Sequence, residues 1–139
     1  VAAMQANVCS IADGEGLCYD LSETYSGNTA DAHRFILWAE ESGLGDALLE
    51  ALYSAYFEKK RSIFTHEDLL SIASGVGINS QAAKDLLNSD SYMDQVNQDQ
   101  QLAAQLGANG VPFYVIDMKF GISGAQPQEV FNQIFTQEV

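Results

Sequence analysis

The sequence predicts an α/β protein in which a bundle of helices is followed by a short β-β-α unit. Apolar residues recur at helical spacing, between capping residues and glycines, over about the first 107 of the 139 residues. Residues 111–117 are β-branched and aromatic, which is typical of a strand. Pro127 fits the first position of a final helix. We therefore expect a helical domain over residues 1–107 and a β-β-α unit over residues 108–139.

Six amphipathic helices joined by short loops are predicted in the first part. They cover roughly residues 2–13, 30–42, 46–57, 66–74, 83–87 and 92–106. Asn28 or Thr29 is expected to cap the second helix. Thr65 opens the fourth with a capping box in which Asp68 replaces the usual Glu. The aromatic residues of the second and third helices are expected in the bundle core: Trp38, Tyr53, Tyr56 and Phe57.

The first predicted strand is apolar without alternation, from Phe113 to Ile116. Such a run indicates a strand that is covered on both faces. A covered strand needs neighbours, and this sequence offers only one, at about residues 118–124. We therefore expect that further strands precede residue 1 and that the fold is incomplete here. The uncovered strand is expected to find cover in another segment or in a second copy of the chain, as a homodimer.

The charge balance excludes some partners. The net charge is −13, from 19 acidic and 6 basic residues, so a phosphate backbone or an anionic membrane would be repelled. The only basic cluster, at residues 59–61, is typical of the C-terminal end of a helix, where cations interact favourably with the helix dipole. No apolar run approaches the roughly 18 residues of a membrane span. We expect neither nucleic acid nor membrane as a partner.

The two cysteines, Cys9 and Cys18, fit neither a metal site nor a redox motif. Eight residues separate them, which is not Cys-x-x-Cys spacing, and no second Cys/His pair lies nearby. We predict buried free thiols rather than a disulfide. Few cysteines and no recognisable export signal favour a reducing, cytoplasmic location.

Three segments carry a family resemblance. They are GVPFYVID followed by GISGAQP (residues 110–117 and 121–127), NTADAHR (residues 28–34) and AYF (residues 55–57). Together, in this order and spacing, they resemble the FrnE-like members of the bacterial DsbA family. The resemblance implies a thioredoxin-like fold interrupted by a helical insertion. In that family a preceding βαβ unit carries Cys-x-x-Cys, so no catalytic residue and no cofactor is expected within this chain.

The resemblance makes Val111 and Pro112 the candidate substrate-binding residues. In thioredoxin-like proteins the matching proline is cis and faces the redox dithiol. The backbone of the preceding residue then pairs with an extended substrate as an added strand. Read from the residues alone, Pro112 would be an edge-strand proline that starts a strand.

Four further residues are candidate accessory residues. His33 could tune a thiolate or relay protons, whereas a structural interpretation has His33 and Arg34 bonded to loop carbonyls. Asn28 is a helix cap before it is a ligand contact. Gln126 precedes the last helix, whose free N–H groups could hold a carboxylate or glutathione, or it closes a turn. His66, in the first turn of a helix, is expected to be solvated.

The leading function is thiol–disulfide oxidoreductase or isomerase, acting on a protein or small thiol/disulfide substrate. One alternative is a glutathione-dependent isomerase or transferase, of the 2-hydroxychromene-2-carboxylate isomerase or kappa-class type, in which serine often replaces the first cysteine. Another is a redox-inactive module that keeps the peptide groove. The redox motif upstream of residue 1 would discriminate among them.

Overall fold

A computed structural model describes residues 2–137 of the protein. Its helices are α1 (Ala2–Gly14), α2 (Ala30–Glu40), α3 (Gly45–Tyr53), α4 (His66–Ala73), α5 (Ser80–Leu87), α6 (Met93–Gln105) and α7 (Gln128–Gln137), and its strands are β1 (Phe113–Ile116) and β2 (Phe120–Ser123). The chain forms two compact units, a helical unit up to Val96 and a C-terminal unit from Asn97. This division falls inside α6, and the domain boundary after residue 107 stays a prediction.

The core of the helical unit lies among α2, α3, α4 and α5. Phe35, Leu48 and Leu69 are its largest fully buried side chains. The aromatic residues that the sequence places in this core are less buried than predicted. Trp38 only packs against the edge of the core, and Tyr53 is half exposed. Tyr56 and Phe57 are only partly buried, because α3 widens after Tyr53 into a π-helical turn (Ser54–Glu58), where Ala55 rather than a ring enters the core.

Within the described residues, side-chain oxygens accept backbone N–H groups at the starts of α2, α4 and α5. The Asn28 carboxamide oxygen accepts the Ala30 N–H at 2.8 Å, whereas Thr29 makes no side-chain cap bond. The Thr65 hydroxyl accepts the Asp68 N–H at 3.2 Å and donates to its carboxylate at 2.7 Å. For α5 the cap is Asn79, whose side chain accepts two backbone N–H groups. Caps of this kind satisfy donors that have no partner inside the helix.

The C-terminal unit carries an antiparallel hairpin. Strand β1 pairs with β2 from Phe113↔Ser123 to Ile116↔Phe120. Three residues, 117–119, connect the strands. Asp117 and Met118 both have positive φ and the Lys119 N–H donates to the Ile116 carbonyl at 3.0 Å, which is the geometry of a type I′ turn. Among the described residues, β1 pairs only with β2 and is shorter than the predicted segment 111–117. Its middle residues are exposed, so their cover by another segment or chain stays a prediction.

Candidate substrate-binding site

The Val111–Pro112 segment lies directly before β1. The peptide bond between the two residues is cis. The Pro112 carbonyl accepts the Gly124 N–H at 2.8 Å, which continues the pairing of the two strands by one step. The Val111 side chain is 96% exposed and touches almost nothing within the chain. A single exposed valine is ordinary on a protein surface, but this one lies just before β1, whose middle residues Tyr114 and Val115 are exposed as well.

Gln126 closes a turn between β2 and α7. Its side-chain amide donates to the Ser123 carbonyl at 2.8 Å, three residues back along the chain. The turn also contains Gly124, which has a φ of +84°. Of the two interpretations left open for Gln126, this bond supports the structural one.

Among the accessory candidates of the helical unit, His33 and Arg34 have different surroundings. The His33 side chain is exposed on α2. The next residue, Arg34, is 3% exposed and donates through Nη1 and Nη2 to four backbone carbonyls, those of Leu86, Leu87, Ser89 and Ser91. These carbonyls lie at the end of α5 and in the loop after it, where a helix leaves its last acceptors without partners. Arg34 therefore acts as the cap of α5, which agrees with the structural interpretation.

A charged cluster that the sequence did not reveal surrounds the same arginine. Asp31 accepts from Arg34 Nε at 2.8 Å and lies 3.0 Å from His66 Nε2. The His66 imidazole is thus a hydrogen-bond partner of Asp31 that joins α4 to α2, while its side chain stays 42% exposed, as expected of a surface residue. Burial alone would raise the pKa of Asp31, but the hydrogen bonds from Arg34 and His66 outweigh it and hold that pKa below its ordinary value. The one available signal was the i,i+3 spacing of Asp31 and Arg34.

The cysteines differ from the expectation in burial. Both are free, but Cys18 is exposed and Cys9 is partly buried. Cys18 lies in the irregular segment between α1 and α2, where the chain runs over the surface, so the prediction of a buried thiol is wrong for it. Within residues 2–137 no group of side chains is arranged to hold a metal ion. In the same residues, no helix is long and apolar enough to cross a membrane.

Comparison with known proteins identifies the fold and then the family. The family model of the DSBA-like thioredoxin domain matches residues 1–136, and the chain belongs to this family. The predicted DsbA family and thioredoxin-like fold are thereby confirmed.

The solved structures that match include the crystal structure of a probable DsbA oxidoreductase from Streptomyces coelicolor. The two chains are 42% identical, with a TM-score of 0.89. The match covers 97% of this chain and 58% of the other, so this chain spans little more than half the length of that relative. A search of curated proteins found no match.

Proposed function

We propose that the protein is a thiol–disulfide oxidoreductase or isomerase of the FrnE-like type, and that this chain supplies the substrate-binding side of its active site. The observation that carries the proposal is the exposure of Val111 beside Pro112, at the start of an exposed strand. The similarity to a probable DsbA oxidoreductase supports the reaction class.

In this proposal an extended substrate segment pairs with the backbone at Val111 as an added strand. A low-pKa cysteine thiolate of the enzyme then attacks one sulfur of the substrate disulfide, forms a mixed disulfide and expels the other sulfur as a thiolate. A second enzyme cysteine attacks the mixed disulfide. The products are an enzyme disulfide and a reduced substrate, and the reverse steps oxidise a substrate dithiol.

The redox pair of this proposal lies outside the present residues. Cys9 and Cys18 are eight residues apart, and one of them is within a helix, so they do not form the adjacent pair that the resolving step needs. An exposed free thiol at Cys18 also fits a reducing compartment, and we propose a cytoplasmic location.

The test is a substitution at Val111 in the intact protein. Val111→Glu should lower kcat/KM for dithiol-dependent insulin reduction by about tenfold or more, because a carboxylate beside the attacking sulfur raises its thiol pKa and repels the thiolate. The fold should tolerate this change, because the side chain is almost fully exposed. Met118→Glu is the matched control, since Met118 is an exposed residue of the same hairpin, at the other end of β1.

Each result has a defined meaning. Loss of activity in Val111→Glu with Met118→Glu unaffected supports the proposal. Equal activity in both variants contradicts the role of Val111. An intact protein that conjugates or isomerises only with glutathione would favour the transferase alternative, and one without any thiol chemistry would be a binding module.

A further inference from the structure

The helical unit contains an aromatic groove that the proposed redox function does not use. It has a volume of about 390 Å³ and is walled by the turns between α1 and α2 and between α3 and α4. The residues that line it are Tyr25, Ser26, Gly27, Thr29, Tyr53, Tyr56, Phe57, Ile63 and Phe64. Of the described residues, none that lines the groove carries a charge. Its size and apolar lining are those of a small-molecule site.

The rings of the groove are held in place before any ligand arrives. Phe57 is edge-on to Tyr56 at 5.1 Å, and Tyr56 is edge-on to Phe64 at 6.0 Å. The Phe64 ring lies directly on the backbone of Gly27, where an added Cβ would come within 2.6 Å of it. Such edge-to-face arrangements fix the planes of the rings, so little reorganisation opposes binding.

The loop that forms one wall is held by two hydrogen bonds to the π-helical turn and by an ion pair with a residue just after it. The Asp20 N–H donates to the Phe57 carbonyl at 2.7 Å, and the Tyr56 hydroxyl donates to the Tyr25 carbonyl at 2.9 Å. The ion pair joins Lys60 to the Asp20 carboxylate, at 2.8 Å. Single π-helical turns inside helices occur frequently at functional sites. Here the turn places Tyr56 and Phe57 in the groove.

An acidic cleft adjoins the groove and shares Tyr53 with it. This cleft, of about 280 Å³, is lined by Leu17, Tyr19, Glu50, Tyr53, Ser54 and Glu58. Glu58 is exposed, and its carboxylate accepts from the Ser54 hydroxyl at 2.6 Å. Of the described residues, those that line the cleft include two carboxylates and no basic side chain. The whole chain is strongly acidic, at −13, which favours cations over anions. In the basic triplet that follows Glu58, Lys60 is paired with Asp20 and Arg61 donates to Ser71.

We propose that the groove and the acidic cleft together bind a small arylalkylammonium ion. Its aromatic body lies in the groove among the fixed rings, and its ammonium group passes Tyr53 to reach Glu50 and Glu58. Charge complementarity and the half-exposed Tyr53 ring between the two parts select this class of ligand. The ring face of a tyrosine also attracts a cation directly.

The experiment compares three indole ligands on the intact protein by calorimetry and by amide NMR. Tryptamine is the cationic probe, N-acetyltryptamine is its neutral counterpart, and indole-3-acetate is the anionic one. Tryptamine should bind at least about fivefold more tightly than N-acetyltryptamine, because of the two carboxylates, and the difference should shrink with added salt. Indole-3-acetate should bind more weakly than either. The amide shifts should fall on residues 25–29 and 50–64.

Variants separate the two parts of the site. Tyr53→Ala should raise the Kd for tryptamine by about tenfold, whereas Tyr53→Phe keeps the ring and should keep most of the affinity. Glu50→Gln should remove the preference for tryptamine over N-acetyltryptamine, and Glu67→Gln, an exposed carboxylate outside both linings, should leave it unchanged.

The proposal is overturned if tryptamine shows no saturable binding at millimolar concentration, or if N-acetyltryptamine or indole-3-acetate binds as tightly. It is equally overturned if the shifted amides lie in the C-terminal unit, or if Glu50→Gln and Glu67→Gln give the same preference. The NMR map needs no variant, so a misfolded substitution cannot hide the result. Because the readout is binding, its outcome is independent of the proposed redox activity.

Discussion

At the scale of the residue, Arg34 shows what burial does to a charged side chain. A guanidinium group out of contact with water is stable only when its donors are paired. Here the donors meet Asp31 and four backbone carbonyls at the end of α5 and in the loop after it. The sequence allowed a structural interpretation of Arg34, because an arginine early in a helix often bonds to a loop. It could not reveal which carbonyls, since residues 34 and 86–91 meet only through the tertiary fold.

Arg34→Met should lower the free energy of unfolding by about 3 kcal/mol or more, because it leaves Asp31 half paired and removes the guanidinium donor from the carbonyls of Leu87, Ser89 and Ser91. Urea denaturation of the intact protein, monitored by circular dichroism, measures this loss of stability. The slope m of the free energy of unfolding against urea concentration should be the same in the wild type and the variant. Arg61→Met is the control, since Arg61 is exposed and its guanidinium donates to the exposed Ser71 hydroxyl at 3.0 Å. It should change the stability by no more than about 0.5 kcal/mol. Equal losses in the two variants would refute the structural role of Arg34.

At the scale of the element, the starts of the helices can largely be predicted from the sequence, whereas the end of α3 cannot. Asn28 and Thr65 are caps, as predicted, because capping depends on side chains within three residues of the helix. The π-helical turn after Tyr53 depends instead on how Ala55 fits the core, and no local pattern encodes it. That missed turn is also why the aromatic groove was not anticipated.

The start of α2 provides a matched pair of substitutions. Asn28→Ala should cost about 1 kcal/mol of stability, because it removes the acceptor of the Ala30 N–H. The neighbouring Thr29→Ala should cost only a few tenths, because the Thr29 side chain makes no cap bond. Thermal and urea unfolding of the two variants decide the question. A larger loss in Thr29→Ala would mean that the cap is assigned to the wrong residue.

At the scale of the whole molecule, the sequence signalled that β1 needs more neighbours than this chain provides. The strand is apolar along its length, yet among the described residues it has a single partner, and Tyr114 gains only an edge contact with Phe131 at 5.1 Å. Local pattern can show that cover is required, because an uninterrupted apolar strand is typical of a sheet interior. It cannot show which segment supplies the cover, since that depends on residues distant in sequence or on another molecule.

We therefore predict that Val115 is covered in the intact protein. In this chain Val115 is 37% exposed and Leu102 of α6 is 45% exposed, so the chain alone would predict similar, small costs for replacing either with lysine. If β1 is covered, Val115→Lys forces an unpaired ammonium into an apolar contact. Val115→Lys should then lower the free energy of unfolding by over about 1 kcal/mol more than Leu102→Lys does. A difference of this size is larger than intrinsic strand propensity can cause, because that scale spans only ~1 kcal/mol.

Light scattering of the same variants separates the two sources of cover. A second copy of the chain over β1 would make the unfolding of the wild type depend on protein concentration, and Val115→Lys would release monomers. If another segment of the same protein covers β1, Val115→Lys would lower the free energy of unfolding and leave the molar mass measured by light scattering unchanged. Equal costs for Val115→Lys and Leu102→Lys would show that β1 stays open to water and would contradict both forms of the prediction.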